Sequence, residues 1–109
     1  MRRERRGERR VKLSRRATLL GETGKVPCLL QDFSSKGFFI ISNRQFHIGQ
    51  MLDLECELYP GKPLRCRVEV KHIAETCVGT QIVDIAQEGA VLLQHFLQEY
   101  YSLKLNQSG

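Results

Sequence analysis

The chain has 109 residues, 41% of them hydrophobic and 27% charged, with nine glycines and three prolines, which fits one domain around a single core and excludes fibrous and low-complexity classes. No apolar run approaches the roughly 18 residues that cross a bilayer, so membrane insertion is not expected. The net charge of +5 is unevenly spread.

Residues 1–16 hold Arg2, Arg3, Arg5, Arg6, Arg9, Arg10, Lys12, Arg15 and Arg16 against Glu4 and Glu8, so this stretch carries +7 and the rest of the chain −2. A block of like charge gains little from folding and much from an anionic partner. Residues 1–10 are therefore expected to form a flexible, arginine-rich arm on a domain spanning 11–105; the plainer alternative is a solvated tail. The opening MRRERRGERR is followed by alternating polar and apolar residues, not by the apolar stretch of a secretory signal, which suggests a cytoplasmic protein.

Beyond the arm the chain reads as strands. Val11, Leu13, Ala17 and Leu19 alternate with polar residues, and Arg15 breaks that parity, which predicts either a bulge or an inward guanidinium. A turn at 21–24 leads to an apolar run from Val26 to Gln31, and Phe38 to Ile41 reads as a third strand, apolar on both faces. Leu52, Leu54, Cys56 and Leu58 share one face of a fourth strand, and Leu64, Cys66, Val68 and Val70 one face of a fifth. If the turn between them centres on Gly61, Glu57 faces Arg65 and Glu55 faces Arg67. A sixth strand is expected over 78–83.

The period then changes. Asp84 and Gln87 have capping-box spacing, and Ala90, Leu93, Leu97 and Tyr100 or Tyr101 recur at helical intervals to about Leu103. The expected fold is mainly β: a small six-stranded antiparallel β-barrel with a C-terminal α-helix. Val91, Leu92 and Phe96 widen the apolar circumference of the helix, which means either deep burial or a surface for a homodimer or another partner. Cys28, Cys56, Cys66 and Cys77 lack the close pairing of metal sites, and the histidines at 47, 72 and 95 join no ligand cluster, so no metal is expected.

Between the second and third strands stands Asp32-Phe33-Ser34-Ser35-Lys36-Gly37. As structure, Asp-x-Ser-x-x-Gly is a turn. As chemistry, it offers a carboxylate and a hydroxyl beside a cationic arm, and a carboxylate there can accept both hydrogen bonds of the guanine N1 and N2 edge. With Arg6-Gly7-Glu8-Arg9-Arg10 just before the first strand, the chain resembles the PilZ family, bacterial receptor domains for cyclic di-GMP, which joins an Arg-x-x-x-Arg motif to an Asp/Asn-x-Ser-x-x-Gly motif. The resemblance extends to Gly49 and to Val78-Gly79-Thr80-Gln81-Ile82-Val83, where the family more often has an aromatic in place of Ile82.

The resemblance implies that Arg6 and Arg10 grip phosphate and guanine while Asp32, Ser34 and Gly37 complete the pocket on the barrel, with Arg9 adding charge. In this family the residue before the first motif arginine bears on stoichiometry; here it is Arg5, which implies an intercalated dimer of cyclic di-GMP with Arg5 on the second molecule. The output implied is a reshaped surface read by a downstream effector protein. No paired-carboxylate cleft, nucleophile motif or phosphate loop suggests an enzyme or a further cofactor. Competing readings are a nucleotide-independent protein adaptor and a nucleic-acid-binding barrel. The latter is disfavoured because the strands lack surface aromatics to serve as stacking platforms, Phe38 and Phe39 sitting in a continuous apolar run.

Overall fold

Alternating apolar and polar residues lay down six strands, and a change to helical spacing ends them. The computed structural model describes residues 10–21 and 24–108, with side chains as far as Tyr100. In chain order the elements are β1 (Val11–Gly21), β2 (Gly24–Phe33), β3 (Phe39–Ile41), β4 (Met51–Tyr59), β5 (Lys62–Ile73), β6 (Val78–Ile85) and α1 (Gln87–Ser108). All neighbouring strands are antiparallel, and the order β1-β2-β3-β6-β5-β4 closes on itself as a barrel. The interior carries the residues the alternation selected, among them Leu30, Ile40, Leu54, Cys56, Leu64, Cys66, Val68 and Val70.

Several boundaries and contacts differ from expectation. The β4–β5 hairpin pairs Glu55 with Arg65 and Asp53 with Arg67, while Glu57 faces Pro63. Tyr59 pairs with Lys62, so Pro60 and Gly61 form a shorter turn than one centred on Gly61, and the ladder shifts between Glu57 and Tyr59. The ion pairs predicted for Arg65 and Arg67 exist with carboxylates two residues further along. Arg65 lies 3.1 Å from Glu55 and Arg67 2.9 Å from Asp53, on a solvated face where such pairs mark register more than they stabilise.

Asp84 is not a helix cap. It lies inside β6 opposite Arg67, because β6 runs on to Ile85; the first turn of α1 closes with Ala90 N–H donating to Ala86 O at 2.9 Å. Ala90 is exposed, and the docked stripe consists of Leu93, Phe96 and Leu97, with Leu92 and Tyr100 beside it. Phe96, which the spacing placed in the surplus apolar surface, is buried against Phe33 and Tyr59 at ring separations of 5.8 and 5.7 Å. Its burial contributes about 1.5–3 kcal/mol. Among the described side chains of the helix, Val91 is the exposed large apolar residue, at 61%.

The parity break at Arg15 is not a bulge, since Arg15 pairs regularly with Leu30, and the irregularity of β1 lies nearer its start. The register with β2 slips between Val11 and Ser14, and the Arg15 guanidinium turns toward the helix, 5.2 Å above the Phe96 ring. There it has a structural task. The ladder between β1 and β4 pairs Thr18, Leu19 and Leu20. Past that point Arg15 Nη1 donates to the carbonyls of Glu57 and Leu58, each at 3.3 Å, so acceptors left by the parting strands keep a donor. The Tyr59 hydroxyl donates to Glu99 at 2.7 Å and ties helix to barrel nearby; desolvation and that carboxylate push its pKa up to about 12.

Candidate nucleotide-binding corner

The corner between β2 and β3 is built by its own motif residues. Asp32 has a φ of 51°, the left-handed region that Asp tolerates better than most residues, at the register shift just before β2 ends at Phe33. Ser34 is fully buried. Its hydroxyl donates to Gly37 O at 3.2 Å and accepts from the amides of Lys36 and Gly37 at 3.1 and 3.2 Å, while its own amide donates to Gly37 O at 3.0 Å. One small polar side chain thus satisfies the buried groups of a tight loop.

Gly37 is required by proximity. A Cβ there would fall on the carbonyl oxygen of Thr80 and lie 3.0 Å from Gln81 Cα, so only glycine lets the corner press against β6. The contact is laced on both sides: Ile82 N–H donates to Lys36 O at 2.7 Å, and the amide and hydroxyl of Thr80 donate to Phe38 O at 2.9 and 2.8 Å. Thr80 belongs to the corner as much as the motif does. From sequence alone Thr80 has a place in a strand and in the family resemblance but no part in the corner.

Of the arginines singled out, Arg10 lies in the described structure, while Arg5, Arg6 and Arg9 lie outside the described residues. Arg10 is exposed. Its Nη1 donates to Asp32 O at 3.3 Å, and its guanidinium carbon stands 5.5 Å from the centre of the Phe39 ring. The last residue before β1 and the first residue of the corner are therefore neighbours across 22 positions of sequence.

Phe39 was missed. Phe38 and Ile40 point into the core at 1% exposure each, while Phe39 alternates outward and is half-buried. The expectation that the barrel offers no surface aromatic is thus corrected. Counting parity back from Ile40, the partner of buried Leu30, would have found it. A cleft of about 650 Å³ lies elsewhere, by the β1–β2 turn among Leu19, Val26, Arg44, Phe46 and Met51, and contains none of the motif residues.

The sequence profile of the PilZ domain family matches residues 4–99. The chain belongs to that family. Comparison with curated proteins finds no match. Among solved structures, this PilZ domain is similar to the Bacillus subtilis inhibitor of motility MotI/DgrA, with a TM-score of 0.75 at 20% sequence identity, over 97% of this chain and 54% of that one. It thus spans about half the length of that protein, and at this identity the likeness is one of fold. Among the described residues no group of His, Cys, Asp and Glu is arranged to hold a metal ion, and no helix is long and apolar enough to cross a membrane.

Proposed function

We propose that this PilZ domain is a bacterial cytoplasmic receptor for cyclic di-GMP that binds the nucleotide between its arginine-rich N-terminal residues and the Asp32–Gly37 corner. The observation that carries the reading is the Arg10 guanidinium, which bridges the two motifs by its bond to Asp32 O. Guanidinium groups suit this ligand because their planar fork matches phosphate and the O6/N7 edge of guanine. Arg10 and Arg6 take those roles, and the Asp32 carboxylate accepts from guanine N1 and N2. Ser34 and Gly37 contribute by shape, since they fix where Asp32 stands.

Phosphate contacts alone would attract any nucleotide, so specificity comes from the guanine edges. Two intercalated nucleotides present twice the anionic and guanine surface of one, and Arg5 and Arg9 supply the added donors. The signal passes to an effector protein that reads the remodelled face, and motility is the first process to assay, given the name of MotI/DgrA. The testing experiment is calorimetric titration with cyclic di-GMP, with GTP and a DNA oligonucleotide as controls. Saturable binding of cyclic di-GMP alone is expected. Equal binding of DNA would overturn the reading in favour of a nucleic-acid barrel, and no binding of any of the three in favour of an adaptor.

A further inference from the structure

One row of residues crosses the outside of the barrel from strand to strand. Ser14 pairs with Gln31, Gln31 with Phe39, Phe39 with Gly79, and Gly79 with His72. The first pair is joined by Gln31 Nε2 donating to Ser14 Oγ at 3.1 Å. At the centre, Gly79 is buried on the outer face because the Phe39 ring lies beside it. A Cβ built on Gly79 would be 3.9 Å from that ring and 3.5 Å from the His72 Cβ. The missing side chain leaves a seat in which an outward-pointing aromatic lies down on the sheet and does not stand in solvent.

The Arg10 guanidinium lies over this ring, its carbon 5.5 Å from the ring centre, and its Nη1 donates to Asp32 O. We infer that Phe39 is a positioning residue for Arg10: seated on Gly79, it is the floor of a cation–aromatic stack that presents the guanidinium to the guanine base of the incoming nucleotide. The identity of that nucleotide rests on the cyclic di-GMP reading. A long, exposed side chain otherwise loses its rotamer freedom at the moment of binding, and a ring that fixes it beforehand removes that cost from the affinity. A guanine base stacked on the opposite face of the guanidinium would give three layers of ring, cation and guanine.

The plain alternative is that Phe39 merely covers the bare backbone at Gly79, as aromatics do beside strand glycines. A double-mutant cycle on the full chain separates the two. Phe39→Leu keeps apolar cover over Gly79 and removes the ring. Calorimetry with cyclic di-GMP at low ionic strength should show affinity weakened about three- to thirtyfold by Phe39→Leu, the range from exposed to desolvated cation–π contacts. The same change in an Arg10→Ala background should cost less than about twofold. Equal factors in both backgrounds would overturn the inference.

A second measurement needs no nucleotide. In the NMR spectrum of the free protein, ring current should move the Arg10 Hδ and Hε resonances upfield, and Phe39→Leu should return them to ordinary positions. Arg15, stacked on Phe96, should keep its shift in both proteins. If the native chain binds no cyclic di-GMP, the receptor reading fails, and the Arg10 resonances alone then decide the positioning role. Resonances unshifted in the native protein, or unmoved by Phe39→Leu, overturn it.

Discussion

Gly37→Ala is the substitution whose cost the structure fixes most closely. The added methyl would coincide with Thr80 O and lie 2.9 Å from the Thr80 carbonyl carbon and 3.0 Å from Gln81 Cα. All three are backbone atoms, so no side chain can rotate away. Relief requires the corner and β6 to separate by more than about 1 Å to reach ordinary contact distance. Three hydrogen bonds of 2.7–2.9 Å hold that gap closed: Ile82 N–H to Lys36 O, and the amide and hydroxyl of Thr80 to Phe38 O. At about 1 kcal/mol net each they amount to about 3 kcal/mol, and residual overpacking adds about 1–3 kcal/mol. A loss of about 4–6 kcal/mol is most of the stability of a small domain. Thermal unfolding followed by circular dichroism should then show Tm lowered by more than about 15 °C. Gly79→Ala is the control, because its methyl meets neighbours at 3.5–3.9 Å, and it should stay within about 1 kcal/mol of native. A Gly37→Ala protein as stable as native, or a Gly79→Ala protein equally damaged, would refute the reasoning.

Arg10→Ala removes an exposed side chain and should leave Tm within a few degrees of native while weakening cyclic di-GMP binding in calorimetry; a large drop in Tm would mean that the arm supports the fold. Asp32→Ala should weaken binding by about 1.5–3 kcal/mol, the cost of charged hydrogen bonds, and lower stability by about 1–2 kcal/mol because alanine at a φ of 51° is strained. Titration at protein concentrations well above Kd should give two nucleotides per native chain and one per Arg5→Leu chain; a native ratio of one would dismiss the intercalated dimer. Burial raises the Cys66 thiol to about 12 and the Cys28 and Cys56 thiols to about 11 from an ordinary 9.0. Folding thus favours the protonated thiols, and the stability this lends is complete below pH 9 and lost as pH climbs through about 11 to 12. A urea midpoint that stays flat from about pH 9 to 11.5 would contradict it.

The barrel was legible because its strands bury one face each. The alternations 52–58 and 64–70 named the inward residues of β4 and β5 without error, since exchanging faces would put Glu55 or Arg67 in the core. Parity is blind to register, however. Sliding a hairpin by two residues keeps every side chain on its face, and only the turn decides, which is why Glu55 meets Arg65 and not Arg67. Asp84 misled for a related reason: capping spacing is local, and the pairing of β5 with β6 as far as Cys66 and Ile85 outlasted it.

At the corner, the motif gave the residues but not their division of labour. Nothing in Asp-x-Ser-x-x-Gly says that the serine hydroxyl turns inward to brace amides, or that the glycine answers to a carbonyl more than 40 residues away. Phe39 was hidden by its neighbour, because two adjacent aromatics read as one apolar run until a paired strand assigns each to a face.

The seam between β1 and β4 gives the barrel a clasp. Three residues of β1 pair with β4, while the β1–β2 ladder extends from Gly21 to Val11. Arg15 fastens the remainder, with one end of its guanidinium on the carbonyls of Glu57 and Leu58 and its face on Phe96. The clasp sits five residues downstream of Arg10, the residue that precedes β1. A force along β1, or one that lifts the helix from the barrel, is therefore carried in part by this one side chain.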